Sequence, residues 1–218
     1  MEKVVFTTGG TGGHIYPALA IAKEMRKKNI DILFIGTKHR MEKEIVPREN
    51  FRFIGLDVLP LNSVKSGIKM LKAIFSTIKL LKKEKPQKII GFGNYITIPV
   101  LVAANVLKIP YYLQEQNHTM GQANRWFYKG AKKVFVAFKN TIDSVKENQK
   151  SKFVVTGNPL REEFYTKNKK AGNSWRWAWN TYHRWESWSK KYKWSGFQKM
   201  EKDNGWHKVK IILGNWKR

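Results

Sequence analysis

The feature that most constrains this chain is an alternation of two periods. Short runs of Val, Ile and Phe, each about long enough for one buried strand, take turns with longer stretches of helical spacing. Val4-Val5-Phe6 begins the series. Ala18 to Lys27 follows as a helix with an apolar stripe at Ala18, Ile21 and Met25. Ile32 to Ile35 is a strand ending at Gly36, and Phe51 to Val58 is another. Ser66 to Lys83 is a helix closed by Pro86. Lys88 to Gly91, Tyr111 to Leu113, Lys133 to Phe138 and Phe153 to Val155 continue the strands, with a helix over Ile98 to Leu107. Strands that are apolar on both faces and separated by helices imply an α/β fold with a Rossmann-like parallel sheet covered on both sides. In such a sheet, ligands bind at the carboxyl ends of the strands, so the loops there carry the functional reading.

Four such loops stand out. The first is Thr7-Thr8-Gly9-Gly10-Thr11-Gly12-Gly13-His14. Its glycines admit close backbone approach, and the following helix offers free N–H groups and a positive dipole end, which suits a diphosphate. No Gly-Lys-Ser/Thr follows, and Ile15 stands where a GxGxxG motif needs its last glycine, so neither a Walker A loop nor a nicotinamide site is expected. His14, at the helix start, is suited either to accept a proton from a sugar hydroxyl or to cap the helix. The second loop is Gly91-Phe92-Gly93-Asn94-Tyr95. The third, Gln114-Glu115-Gln116-Asn117-His118, sets a carboxylate among amides, a combination suited to sugar hydroxyls. The fourth, Thr156-Gly157-Asn158-Pro159-Leu160-Arg161, ends on an arginine able to meet a phosphate.

Composition bounds the remaining choices. The net charge of +26 attracts anions such as nucleic acid, anionic lipid or phosphorylated substrate. There are no cysteines, which excludes disulfides and thiolate metal sites. No apolar run approaches the ~20 residues of a spanning helix. The start, Met1-Glu2-Lys3-Val4, does not read as a signal peptide, and a cytosolic protein is expected. Residues 64–85 place Ile68, Leu71, Ile74, Phe75, Ile78 and Leu81 at helical spacing among Lys69, Lys72, Lys79, Lys82 and Lys83. This pattern fits a core-packing helix with a solvated lysine face. It also fits a peripheral contact with anionic membrane, through Ile68, Leu71, Ile74, Phe75, Ile78, Lys69, Lys72 and Lys79.

Taken together, GGTGGH, GxGxY, Glu115-Gln116-Asn117 and GNPxR, in this order, resemble the MurG family of GT-B glycosyltransferases. Phe34 to Thr37, Arg40-Met41-Glu42 and Val46-Pro47 add to the likeness, which covers about residues 1–165. The resemblance implies the N-terminal, acceptor-binding half of a two-domain enzyme with its active site between the domains. It implies an inverting, metal-independent transfer of N-acetylglucosamine from UDP-GlcNAc to lipid I, whose undecaprenyl diphosphate stays in the bilayer. Lipid I, the sugar nucleotide and anionic lipids at the cytoplasmic membrane face are the implied partners. No cofactor, metal or nucleic acid is expected. By resemblance, Thr11, Gly12 and Gly13 contact the donor or the acceptor diphosphate, as Gly91, Gly93, Asn94 and Tyr95 would in the second loop. His14, the candidate base, and Glu115 are the implied catalytic pair, Asn117 contacts the donor sugar with Glu115 close by, and Arg161 meets donor phosphate or uridine. The family usually has glycine where Asn94 stands. A non-catalytic half of a split transferase and a transferase with another lipid acceptor stay open as alternatives.

Residues 166–218 change character. Eight of the nine tryptophans fall after residue 174, and no period continues the domain. Trp has the single codon TGG, which becomes a glycine codon when shifted by one base. Trp185, Trp188 and Trp216 then conceal glycines of a donor-binding domain. A shifted reading frame is the expectation for this tail, and the chain as it stands is expected to lack transferase activity alone.

Overall fold

The computed structural model describes residues 1–159. Arg161, the expected domain boundary at 165 and the tryptophan-rich tail lie outside the described residues. Seven parallel strands form one sheet: β1 (Lys3–Thr7), β2 (Asp31–Thr37), β3 (Arg52–Leu56), β4 (Lys88–Gly91), β5 (Tyr111–Glu115), β6 (Val134–Val136) and β7 (Phe153–Val155). Their order is β3-β2-β1-β4-β5-β6-β7. The helices are α1 (Gly12–Arg26), α2 (Glu42–Arg48), α3 (Val64–Glu84), α4 (Thr97–Val106), α5 (Gln122–Phe127) and α6 (Glu147–Lys150), with a 3-10 turn at Lys139–Ile142.

The two-residue period of the strands divides the core in two. Val5, Leu33, Ile35, Ile89, Leu113 and Val134 face α3, α4 and α5, where Met70, Ala73, Leu81, Leu101 and Ala104 cover them. Val4, Phe6, Phe34, Ile90, Tyr112 and Phe135 face the other way, under Ile15, Leu19, Ile21 and Met25 of α1 and Val46 of α2. The two-sided parallel sheet expected from the sequence is what forms.

Most extents differ from expectation by a residue or two. The larger exception is α1, which begins at Gly12 rather than Ala18 and contains Pro17. Proline has no N–H for the Gly13 carbonyl four residues back, yet one missing bond near the start does not stop a helix that buries Ile15, Leu19 and Ile21. The short helices α2 and α5 have no apolar period to reveal them. Helix α3 is fixed by local chemistry at both ends. Ser66 N donates to Ser63 Oγ at 3.2 Å, Ser63 N donates to Ser66 Oγ at 3.0 Å, and Lys85 closes the helix in the left-handed conformation.

Strand order reverses direction between β1 and β4, where one crossover runs left to β2 and the next runs right to β5. That switch point opens a crevice at the carboxyl edge. The two glycine loops follow the strands on either side of it.

Candidate functional site

Loop 1, residues 8–11, leaves β1 and enters α1 with Thr11 in extended conformation at the helix N-cap. The N–H groups of His14 and Ile15 both donate to the Thr11 carbonyl, at 3.1 and 3.2 Å. The N–H groups of Thr11, Gly12 and Gly13 have no protein acceptor among the described residues. Three open donors at the positive end of a 15-residue helix are the arrangement that suits an anion. Thr11 Oγ1 and His14 Nδ1 lie 3.0 Å apart. Burial pushes the His14 imidazole below its ordinary pKa, and the negative charge of Glu115 pulls the other way.

Loop 2, residues 92–96, packs directly on loop 1. Gly93 and Asn94 both have positive φ, +85° and +71°. A Cβ on Gly93 would lie 3.3 Å from Asn124 Nδ2 and 3.7 Å from His14 Cδ2, so the bare glycine lets loop 1, loop 2 and α5 meet. The remaining loop 2 candidates are placed differently from expectation. Gly91 is the buried last residue of β4, paired with Thr7 and Leu113, where a Cβ would press on the Leu113 side chain at 3.1 Å. Tyr95 is half-buried and packs on the core. Asn94 uses its amide inside the protein: Nδ2 donates to the Gly9 carbonyl at 3.0 Å, and Oδ1 accepts from Tyr95 N at 2.6 Å.

Glu115, grouped with His14 as catalytic from the sequence, is 1% exposed at the end of β5. Four N–H donors surround its carboxylate. Asn117 N and Nδ2 donate to Oε1 at 3.0 and 2.9 Å, and Gly121 N and Asn124 Nδ2 donate to Oε2 at 2.8 and 2.9 Å. All its lone pairs are occupied, so the carboxylate anchors the β5–α5 turn and orients Asn117 rather than exchanging a proton. Asn117 itself is exposed, with its Nδ2 tied to the anchor.

Two residues that sequence reasoning left without a role complete the edge. Glu42, fully buried at the start of α2, accepts from Gly10 N at 3.1 Å, Thr37 N at 2.9 Å and Thr37 Oγ1 at 2.7 Å. Asn124 ties α5 to both Glu115 and the Gln114 carbonyl. Thr7 Oγ1, Thr8 Oγ1, Gln116 Oε1 and Asn124 Oδ1, at or next to the strand ends of this edge, are buried without a protein partner among the described residues. A shallow cavity of about 390 Å³ lies on the β2–α2 connection, lined by Lys38, His39, Arg40, Met41, Lys43 and Glu44. It is a fold in the surface, and none of the loop 1 or loop 2 residues lines it. No cluster of three metal-ligating side chains occurs among the described residues.

Helix α3 starts on the carboxyl side of the sheet, after β3, and runs back to the amino edge, where Glu84 bonds Lys3 and Arg52. Val64, Ile68, Leu71 and Phe75 form an exposed apolar seam, with Val64 84% and Phe75 66% exposed. Ile74 and Ile78, expected in the same surface, are half-buried and pack on the core. At 100° per residue they fall on the side of Met70, Thr77 and Leu81. Lys72 and Lys79 are exposed, whereas Lys69 pairs with Asp57 at 3.0 Å. Among the described residues no helix is long and apolar enough to cross a membrane.

Known proteins resemble this chain in sequence and fold. A relative from Fusobacterium nucleatum, named UDP-N-acetylglucosamine--N-acetylmuramyl-(pentapeptide) pyrophosphoryl-undecaprenol N-acetylglucosamine transferase, is 52% identical over 163 residues, 75% of this chain and 46% of its own length. A crystal structure of Acinetobacter baumannii MurG superimposes with a TM-score of 0.60 at 32% identity, covering 65% of this chain and 42% of that one. The S. aureus MnaA–UDP co-structure, 19% identical with a TM-score of 0.57 over 73% of this chain and 44% of that one, shares the fold. The chain spans about half the length of the curated relatives it matches. Residues 4–136, which hold both glycine loops, the switch point and the Glu115 anchor, match the model of the glycosyltransferase family 28 N-terminal domain, and the chain belongs to that family.

Proposed function

We propose that this chain is the acceptor-binding half of a transferase that moves N-acetylglucosamine from UDP-GlcNAc to lipid I at the cytoplasmic face of the membrane. The observation that carries the reading is the meeting of three open N–H groups at the start of α1 with the half-buried His14 at the switch point. The N–H groups of Thr11, Gly12 and Gly13 bind the diphosphate of the acceptor. His14 acts as general base. In the tautomer whose Nδ1–H donates to Thr11, Nε2 presents its lone pair to the sugar hydroxyl. Asn117, held by Glu115, supplies an amide to the sugar nucleotide, and Arg161 meets its phosphate or uridine. The relatives' name, with its pyrophosphoryl-undecaprenol acceptor, supports this choice of substrates.

The acceptor's lipid tail calls for a membrane contact, and the α3 seam of Val64, Ile68, Leu71 and Phe75 with Lys65, Lys72, Lys79, Lys82 and Lys83 around it suits one. Each lysine near anionic lipid contributes roughly 1 kcal/mol, and the apolar seam adds burial. The test is cosedimentation with vesicles of anionic phospholipid, with and without undecaprenyl diphosphate. The chain is expected to bind both, more tightly with the diphosphate lipid. Inorganic pyrophosphate is expected to remove that increment, and high salt to release the rest. An Ile68→Ser, Phe75→Ser pair is expected to weaken binding to both at least tenfold. Equal affinity for neutral vesicles refutes the electrostatic docking, and the lack of a diphosphate increment refutes the acceptor site. For residues 166–218 the shifted reading frame is part of the same proposal, and the coding nucleotides downstream of Lys170 decide it.

A further inference from the structure

Glu42 and Asn94 have no place in the chemistry above, yet their hydrogen bonds converge on one peptide bond. Asn94 Nδ2 donates to the Gly9 carbonyl at 3.0 Å, and Gly10 N–H donates to Glu42 Oε2 at 3.1 Å. That carbonyl and that N–H are the two ends of the single Gly9–Gly10 peptide unit. In a trans peptide they point in opposite directions, so the unit is gripped from both sides. Glu42 reaches it from α2, beside β2, and Asn94 reaches it from the loop after β4. Each grip is itself fixed. The second Glu42 oxygen accepts from Thr37 N and Oγ1, and Asn94 Oδ1 accepts from Tyr95 N.

A peptide plane between two glycines needs such holding. Neither neighbour carries a Cβ, so the plane can rotate at little steric cost, and Gly10 already sits at φ +92°. Rotation changes ψ of Gly9 and φ of Gly10 together. With them changes the path by which the chain enters Thr11 and the first turn of α1, where the open N–H groups lie. The same geometry accounts for the glycines. A Cβ on Gly9 would meet Glu42 Oε1, and one on Gly10 would meet Asn94 Nδ2. The two side chains occupy the space that the glycines leave vacant.

We propose that Glu42 and Asn94 form a two-sided lock on the Gly9–Gly10 peptide and hold loop 1 in its anion-binding conformation before any ligand arrives. Both are positioning residues. The purpose of the lock rests on the diphosphate reading above, but the lock itself can be observed without ligand.

The experiment uses the full 218-residue chain, labelled with nitrogen-15, and two readouts. One is hydrogen exchange of the Gly10 amide in the free protein. The other is the affinity for inorganic pyrophosphate. In Asn94→Gly, the Gly10 amide is expected to exchange at least ~10-fold faster although its own acceptor, Glu42, is untouched. A merely local role for Asn94 would not move that signal. Pyrophosphate binding is expected to weaken about three- to tenfold, the worth of one neutral hydrogen bond. Glu42→Gln is expected to weaken binding in the same direction. The double variant is expected to be little weaker than the weaker single one, because either loss already frees the plane. Should Glu42→Gln fail to fold, Asn94→Gly still decides the matter through both readouts. Unchanged Gly10 exchange in Asn94→Gly overturns the lock. Faster exchange with unchanged pyrophosphate affinity overturns its role in presetting the loop. A wild-type chain that protects Gly10 but binds no pyrophosphate overturns the diphosphate reading and the purpose of the lock with it.

Discussion

Glu115→Ala is expected to cost the domain at least ~3 kcal/mol of stability, measured by urea denaturation of the chain. The carboxylate accepts four N–H donors from Asn117, Gly121 and Asn124, two of them backbone. Alanine leaves those donors facing a cavity, and each unpaired buried group costs about 1–3 kcal/mol. Asn117 is exposed, so water reaches its two donors, and the full cost falls on the Gly121 and Asn124 donors, which puts the expected total near ~3 kcal/mol. Glu115→Gln separates shape from charge. Its amide nitrogen must face two donors whichever way it turns, so a loss of about 1–3 kcal/mol is expected despite the nearly equal size. The Gln variant also removes the charge that raises the His14 pKa, so the imidazole is expected to titrate lower still. A loss below ~1 kcal/mol in the alanine variant rejects the anchor.

His14→Ala carries the largest expected effect on turnover. On the proposed reading the measurement uses a fusion of this domain to the part of the Fusobacterium nucleatum relative that this chain does not match, the relative being matched over 46% of its length. In such an enzyme, removing the proposed base is expected to lower kcat about 10²–10⁴-fold with little change in the KM for the proposed acceptor, lipid I. The pH profile gives a second check. Burial holds the folded pKa of His14 below its ordinary value of 6.5. The neutral, proton-accepting form therefore persists at neutral pH, and the acid limb of kcat/KM is expected below 6.5. The sign for stability follows from the same direction. A group with a depressed folded pKa contributes fully above its unfolded pKa, near 6.5, and that contribution is lost as pH falls through the folded value. A fall in kcat under ~10-fold, or an acid limb above 6.5, rules out His14 as the base.

The fold was largely legible in the linear chain. Alternate residues of Val4-Val5-Phe6 and Ile32 to Ile35 are apolar on both sides, and only a sheet covered on both faces buries them all. Glycines placed directly after β1 and around the end of β4 announced the loops of the switch point, and His14 stood next to them. These signals are local: they need only the identity of neighbours and their spacing. Helices α2 and α5 gave none, because seven and six residues are too few to show a period.

What only the tertiary structure decided was which polar groups are already occupied. Glu42 and Glu44 lie two residues apart on α2, yet one is fully buried beneath loop 1 and the other is exposed. Ile74 and Phe75 are adjacent, yet one packs on the core and the other faces solvent. The sequence named Glu115 as a candidate for catalysis and Asn94 as a ligand contact. The folded chain engages the first with Gly121 and Asn124 and the second with Gly9. Such partnerships join residues up to 85 positions apart. Hydrogen-bond capacity is exhausted by groups that only the sheet order brings within 3 Å, and no local pattern records that.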